Sequence, residues 1–441
     1  MSFKNKVKLA SEKIPPQIGI ALNYIPFTLR LGSDYKRYSG LTERLINSDK
    51  DTRQAYLLEG FNKVLKHFSS CSPFYSQFLK ANGVSVTEIN SISDICRIPL
   101  MTKSSLKAVP IDDRTIKDYA LKQFNTGGTS GNPLSFYAAR NYYPREWAHM
   151  HYMWRKIGYT PSRTKITIRG RNLDNVYLYN FNQNEFLINS YHSFTTKEYD
   201  DLLRLFKKYN TEFIHGYPSS IYNFLKEISV QAPALLDFLK SNIKGIMLGS
   251  EYPTPHYRNY IEELLTKNTI SWYGHTEGVI LAGELYRKFE YVPFLSYGYT
   301  EAVEKDGCYH LVGTAFDNFA SPFIRYDTED LIDPEMDDSG LLNSFKIKEG
   351  RLGESVLDRN KKSISLTALI FGRHHKLFDM VDFIQVQQIE PGAIIVYYSS
   401  SDSIENPMNY FDTTNLDLDV MFRHINEPFK TNIGKIPLLI K

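Results

Sequence analysis

The chain has 441 residues, enough for one large and one small folding unit. Hydrophobic residues make up 42% and charged residues 23%, a balance that supports a buried core and excludes general disorder. Basic residues exceed acidic ones by only 52 − 49 = 3, so the broad basic face of a nucleic-acid binder is not expected. Cys71, Cys96 and Cys308 lie far apart in the sequence. That spacing excludes a disulfide framework and a Cys-rich zinc site, and fits a reducing compartment.

The opening segment MSFKNKVKLASEK has no apolar run behind its lysines, which argues against a cleaved signal. Ile14 to Gly32 is the most lipid-like stretch, but Pro15, Pro16, Pro26, Gln17 and Asn23 make it a poor spanning helix. The expectation is burial against the protein, no transmembrane segment and a cytoplasmic location.

The first hundred residues read as helices. Ala55, Leu58, Phe61, Val64, Leu65 and Phe68 recur at three- and four-residue spacing and predict one apolar face. After Pro99, short apolar runs alternate with helix-period segments. Thr164–Gly170, Thr211–Tyr217, Ile243–Ser250 and Thr269–Gly274 read as strands, and KEYDDLLRLFKKY and SSIYNFLKEIS as helices between them. Strand and helix at this pitch predict a large layered α/β unit with a mostly parallel sheet. Beyond about residue 350 the chain becomes strand-rich, and DFIQVQQIEPGAIIVYYSS reads as two strands around a Glu-Pro-Gly turn. A boundary near Gly350 leaves a small α+β unit over 351–441 after a large one over 1–350.

Chemistry-bearing residues follow in chain order. Thr126-Gly127-Gly128-Thr129-Ser130-Gly131 precedes Asn132-Pro133, a loop whose amides and hydroxyls can form an anion nest. It is neither a Walker A loop nor a Rossmann turn, and taken alone it is as often an ordinary hairpin loop. Tyr273-Gly274-His275-Thr276-Glu277-Gly278 ends a strand with an acid able to hold Mg²⁺ beside a nucleotide; its plain alternative is a solvated turn. Asp327 could accept bonds from two ribose hydroxyls, although a turn aspartate would look the same. Gly350-Arg351 lies in a Gly-punctuated linker, and Lys435 follows a glycine near the end.

In this order and number the elements resemble the adenylate-forming superfamily, within it the phenylacetate–CoA ligase-like branch that includes CapK-type capsular-polysaccharide proteins. Arg97–Lys107 is similar to the branch's lead-in to the phosphate loop, and Gly216–Ile228 and Leu248–Leu264 to its substrate- and adenine-side segments. The resemblance implies that Thr126 to Gly131 hold the β- and γ-phosphates of ATP. It further implies that Gly249, Ser250 and Glu251 line the adenine, with Tyr273 stacked on it beside Gly274. Thr276 would contact the α-phosphate, Glu277 would bind Mg²⁺ and Asp327 the ribose. Arg351 would sit at a hinge, and Lys435 would reach the reacting carboxylate. His215, Tyr217 and His275 are candidates for the substrate pocket.

The phosphate loop departs from the pattern at Gly127 and Leu134, and the hinge reads Gly350-Arg351-Leu352-Gly353-Glu354. Gly372-Arg373 competes for the hinge. His149 and His151, two apart on a helix, and the adjacent His374 and His375 point different ways and do not suggest a metal pair. The implied activity is formation of an acyl-AMP from ATP and a small carboxylic acid, then transfer to CoA or an amine in surface-polysaccharide synthesis. Two alternatives stand beside it: an aryl-acid CoA ligase of degradation, and a non-catalytic nucleotide-binding scaffold. Oligomeric state is not encoded in any of these features.

Overall fold

The structure is a computed structural model and describes residues 14–22, 25–85, 89–117, 122–126, 134–169, 173–305, 307–349, 355–366, 369–370, 373, 375–381, 383–400, 403–429 and 437–440. Four helices lead the chain: Pro16–Leu22, Phe27–Ile46, Lys50–Cys71 and Pro73–Ala81. Asp49 starts the third by accepting the Thr52 N–H at 2.7 Å, and Ser72 starts the fourth by accepting the Tyr75 N–H. The apolar face of Lys50–Cys71 is largely the one expected, with Leu58 packed at its edge, Leu57 added and Ala55 left out. Leu57, Phe61, Val64, Leu65 and Phe68 are buried while Ala55 is exposed. Leucine has more apolar surface to remove from water than alanine, so it takes the core position.

The segment Ile14 to Gly32 is only partly covered. Gly19 is buried against Tyr179, whereas Ile18, Ile25 and Leu29 are exposed. No described helix is long and apolar enough to cross a membrane.

A hairpin of β1 (Lys122–Asn125) and β2 (Ser135–Ala138) precedes the main sheet. That sheet contains β3 (Lys165–Arg169), β4 (Tyr177–Asn180), β5 (Glu185–Asn189), β6 (Phe213–Gly216), β7 (Gly245–Leu248), β8 (Thr269–Gly274), β9 (Leu281–Gly283) and β10 (Val292–Pro293). Their spatial order is β10-β9-β8-β7-β6-β3-β5-β4. The central pairs are parallel and only the flanking strands antiparallel, as the continuous apolar runs predict. Helices Thr196–Lys208, Pro218–Gln231 and Pro255–Leu265 make the crossovers. They share a core with Ile166, Ile214, Ile246 and Leu248, while helix Tyr142–Trp154 packs Met150, Met153 and Trp154 with Phe213 and Met247.

A second, antiparallel sheet follows: β11 (Gly298–Lys305), β12 (Cys308–Ala315), β13 (Tyr326–Met336) and β14 (Leu342–Glu349). Its side chains share one core with the N-terminal helices and the β1–β2 hairpin. The chain then forms a short hairpin, β15 (Ser355–Leu357) and β16 (Ser363–Ser365), and a sheet of β17 (Phe383–Glu390), β18 (Ala393–Ser399), β19 (Asp419–His424) and β20 (Leu439–Ile440). The β17–β18 pair turns where Glu390, Pro391 and Gly392 were read as a turn. One apolar cluster, drawn from Val356 to Leu438, fills this last part.

Candidate nucleotide site

Ligands of open parallel sheets bind beyond the carboxyl ends of the strands. Two glycines allow the backbone to pass closely there. A Cβ on Gly216, at the end of β6, would lie 1.8 Å from the Ile168 carbonyl oxygen. One on Gly249, just past β7, would lie 1.9 Å from the Trp272 ring. Neither position can carry a side chain without moving its neighbour. The Gly249 N–H donates to the Gly216 carbonyl at 3.1 Å, which ties the two strand ends together. Ser250 follows with φ of +65°, and this left-handed residue turns Glu251 back toward helix Pro218–Gln231. Buried Glu251 accepts the Ser219 N–H at 3.3 Å and the Ser219 hydroxyl at 3.1 Å, in the positive field of that helix's N-terminus.

The loop after β8 is braced from several sides. The Ile280 N–H donates to His275 Nε2 at 3.3 Å, so that nitrogen is the acceptor and Nδ1 carries the proton. Nδ1 then donates to Glu277 Oε2 at 3.0 Å, and the Tyr326 hydroxyl donates to Glu277 Oε1 at 3.1 Å. Both carboxylate oxygens are thereby oriented. Tyr142 donates its hydroxyl to the Thr276 carbonyl at 2.8 Å, and Arg145 donates Nη2 to the Gly278 carbonyl at 2.8 Å. Both come from helix Tyr142–Trp154, so the loop is held between that helix and β13. Burial pushes the Tyr326 phenol well above its ordinary range, which keeps it a donor to the carboxylate.

Tyr273 lies at the end of the same strand. Its ring meets Phe345 edge-on at 5.5 Å, and its hydroxyl donates to Asp330 at 2.6 Å. Asp327 is buried beside Tyr326. It accepts the Glu329 N–H at 2.8 Å and faces His310 Nδ1 at 3.1 Å from its nearer oxygen. The lead-in segment is stitched to this strand: Met101 N–H donates to the Arg325 carbonyl, and Asp327 N–H to the Met101 carbonyl, each at 2.9 Å. Arg325 supports the stitch from below. Its guanidinium grips Glu301 through two bonds of 2.8 and 2.9 Å and donates to the Ile98 carbonyl at 2.6 Å.

Thr126 closes the neck of the glycine-rich loop. Its N–H donates to the Leu134 carbonyl at 2.9 Å, and the Leu134 N–H donates to its hydroxyl oxygen at 2.8 Å. That hydroxyl therefore has an acceptor role within the loop itself. Gly127, Gly128, Thr129, Ser130 and Gly131 lie outside the described residues, as do Gly350, Arg351, Gly372, His374 and Lys435. Arg373 is described and buried: it lies 4.0 Å over the Tyr191 ring, donates to the Thr414 carbonyl at 2.9 Å, and pairs with Asp412 at 3.1 Å. Its Nε and Nη2 have no hydrogen-bond partner among the described residues.

His215 lies beneath the strand ends between Trp154 and Trp272, at ring separations of 5.1 and 5.8 Å. Burial lowers its pKa to about 3, so it is neutral. Tyr217 begins helix Pro218–Gln231 and donates its N–H to the Ile168 carbonyl at 3.0 Å. His149 contacts Ser296 and His151 contacts Tyr35, each at a separate core position as their spacing predicts. No cluster of three metal-ligating side chains occurs among the described residues. A single carboxylate such as Glu277 suits Mg²⁺, which keeps most of its shell for water and substrate phosphates.

The structure thus brings Thr276, Glu277, His275 and Asp327 together through Tyr326, with Gly249 to Glu251 on the neighbouring strand end. Sequence reasoning missed Tyr142, Arg145, His310 and Tyr326. Of these, only Tyr326 had a local signal, its position next to Asp327.

No protein-family profile matches the chain. Protein CapK of Staphylococcus aureus is 22% identical over 364 residues, 78% of this chain and 78% of that protein. Among solved structures, 2-hydroxyisobutyryl-CoA ligase with 2-HIB-AMP and CoA aligns at a TM-score of 0.51. That alignment has 15% identity and covers 89% of this chain and 90% of the other. The amide bond synthetase McbA of Marinactinospora thermotolerans aligns at 0.38, with 14% identity over 72% of this chain and 67% of that one.

Proposed function

On the premise that this chain has the fold of the adenylate-forming ligases, we propose that it activates a carboxylic acid with ATP and passes the acyl group to an acceptor. In the first step a carboxylate oxygen attacks the α-phosphorus, a P–O bond forms, and pyrophosphate leaves with the electron pair. In the second, the acceptor attacks the acyl carbon, the mixed-anhydride C–O bond breaks, and AMP leaves.

The observation that carries this reading is the orientation of Glu277. A carboxylate fixed at both oxygens by His275 and Tyr326, at the mouth of a parallel sheet, is preorganised for a cation. Mg²⁺ held there would offset the negative charge that gathers on the phosphates. Thr276 and the loop Thr126 to Gly131 would hold phosphate oxygens, Asp327 the ribose, and Gly249, Ser250, Glu251 and Tyr273 the purine side. Lys435 would supply an ammonium to the α-phosphate from a small C-terminal unit over 351–441. Arg351 and Arg373 are the two candidates for that unit's hinge arginine. The separate apolar core of Val356 to Leu438 supports the two-unit division.

The resemblance to CapK favours a cytoplasmic role in surface-polysaccharide synthesis, with an amine or a sugar as acceptor. CoA is the alternative acceptor, which an aryl-acid ligase of degradation would use. The test is ATP-dependent pyrophosphate release over a panel of amino acids, sugar acids and aryl acids, with hydroxylamine as trap and Lys435→Ala in parallel. Release with one acid, lost in the variant, is the expected result. ATP binding without release for any acid would favour the non-catalytic scaffold instead.

A further inference from the structure

One face of the main sheet carries charge where a parallel sheet is ordinarily apolar. Alternation along β3 puts Lys165, Thr167 and Arg169 on that face. Register sets Lys165 beside Glu185 of β5 and Thr167 beside His215 of β6. The near end of this row is closed on itself. Lys165 and Glu185 are both buried, 3.7 Å apart. Glu185 accepts the Thr167 hydroxyl at 2.6 Å and the Asn180 amide at 2.9 Å, and Lys165 also donates to the Gln183 carbonyl.

The far end is not closed. Arg169 is the last residue of β3, at the carboxyl end where ligands of such sheets bind, and it is partly buried. Its carbonyl accepts the Ser190 hydroxyl at 3.1 Å, but its guanidinium makes no hydrogen bond and no ion pair among the described residues. Glu185 attracts it, yet that carboxylate is already held by Thr167, Asn180 and Lys165. Glu251, whose field also reaches the Tyr217 phenol beside Arg169, is held by Ser219.

Two more polar groups on this face lack partners. His215 Nδ1 and Trp154 Nε1 are buried without a hydrogen bond among the described residues, on rings 5.1 Å apart. Burial first, then the cations Lys165 and Arg169, keeps that imidazole neutral. Unmet buried donors cost free energy until an acceptor completes them. Trp272 links this row to the candidate nucleotide site, because its ring stacks on His215 at 5.8 Å and fills the space over Gly249. An acid with a purely apolar tail would leave these donors unmet. A carboxylate matches them, since the guanidinium fork fits its two oxygens.

We propose that the acid this chain activates is a dicarboxylate, and that Arg169 is the specificity-determining residue that receives its second carboxylate. The place of that carboxylate in a reaction rests on the adenylation reading above; its binding beside Arg169 does not.

The test measures ATP-dependent pyrophosphate release with succinate and glutarate against butyrate and valerate, which match them in chain length with one carboxylate fewer. The same diacids are titrated into the full chain by calorimetry. The expected kcat/KM favours the diacids by at least about tenfold. Arg169→Met should cut that preference by about tenfold to hundredfold, through KM rather than kcat, a split that a merely structural role would not give. Arg169→Lys keeps the charge without the fork and should recover part of the loss. If the methionine variant fails to fold, a rise in diacid KM in the lysine variant still decides. A preference for butyrate and valerate, or a preference for diacids unchanged in both variants, would overturn the proposal. Turnover of some other acid without either diacid would sink the substrate class and leave adenylation standing. If no acid releases pyrophosphate, the adenylation reading fails and calorimetry decides: diacid binding weakened in the variants supports Arg169, and no binding overturns it.

Discussion

The loop that carries Glu277 and the seam that carries Lys362 are held in opposite ways. Around Glu277 the described contacts are mostly buried and all directional: Tyr326 and His275 fix the carboxylate, while Tyr142 and Arg145 fix the backbone on either side. Across the seam, helix Pro218–Gln231 meets β16 through Asn223, Tyr257 meets Ser363 at 2.8 Å, and Lys362 pairs with Glu227 in partial contact with water. Buried networks in low dielectric have one good arrangement, whereas wet polar contacts can be exchanged for water at small cost. The difference leaves the Glu277 loop rigid and the seam able to open by exchanging its contacts with water.

The strongest way to break this contrast is to remove the brace beneath it. Arg325→Leu leaves Glu301 buried without its cation and frees the Ile98 carbonyl. The expected loss is about 3–5 kcal/mol of unfolding free energy, measured by urea titration. A loss under about 1 kcal/mol would show that the pair is not a brace. Next in size is Glu277→Gln. Its amide can still accept from His275 and donate to the Tyr326 oxygen, so the fold should persist. Pyrophosphate release should fall by on the order of 10²-fold, about 3 kcal/mol. Equal turnover in this variant would remove the carboxylate from the mechanism.

Acid should weaken the rigid side. Burial lowers the pKa of His149 and of His215 from 6.5 to about 3. For these groups the unfolded chain takes up protons first, so stability is complete above pH 6.5 and falls as the pH drops toward 3. Glu185 acts in the same direction lower down. Although burial opposes its charge, Lys165 and other cations hold its pKa at about 2, so its contribution is lost between about 4.5 and 2. At pH 5, His149 alone would account for about 2 kcal/mol. Thermal unfolding of His149→Gln across pH 7 to 4 should show a shallower decline than the parent chain, and an identical decline would rule the histidine out.

The sequence made some of this visible. Continuous apolar runs marked β6, β7 and β8 because a strand covered on both faces needs no polar alternation. Glu277 was visible because it follows a strand in a short Gly-flanked motif, and Asp327 because it stands directly after Arg325 and Tyr326. Their partners were not. Arg145 reaches Gly278 across 133 residues, and Tyr326 reaches Glu277 across 49. Such pairs follow from strand register and helix docking, which no local pattern carries. Thr126 shows the same limit in reverse. Its hydroxyl, read as a phosphate ligand, also accepts from the Leu134 amide and so fixes the loop's neck, a role no local pattern announces.

Two smaller perturbations sharpen the comparison, because they remove one contact from each side. Tyr326→Phe deletes a single buried bond to Glu277 and should cost about 1 kcal/mol, with up to about a tenfold fall in pyrophosphate release. Lys362→Ala deletes the ion pair with Glu227 at the seam. Lys362 is 40% exposed at its side chain, so water and salt already screen the pair. The expected change in unfolding free energy is below about 1 kcal/mol and should shrink further in high salt. Phenylalanine should therefore perturb the site more than alanine perturbs the seam, although tyrosine loses one atom and lysine most of its side chain. If Lys362→Ala proved the more damaging of the two, the seam would be a packed interface, and opening along it would be excluded.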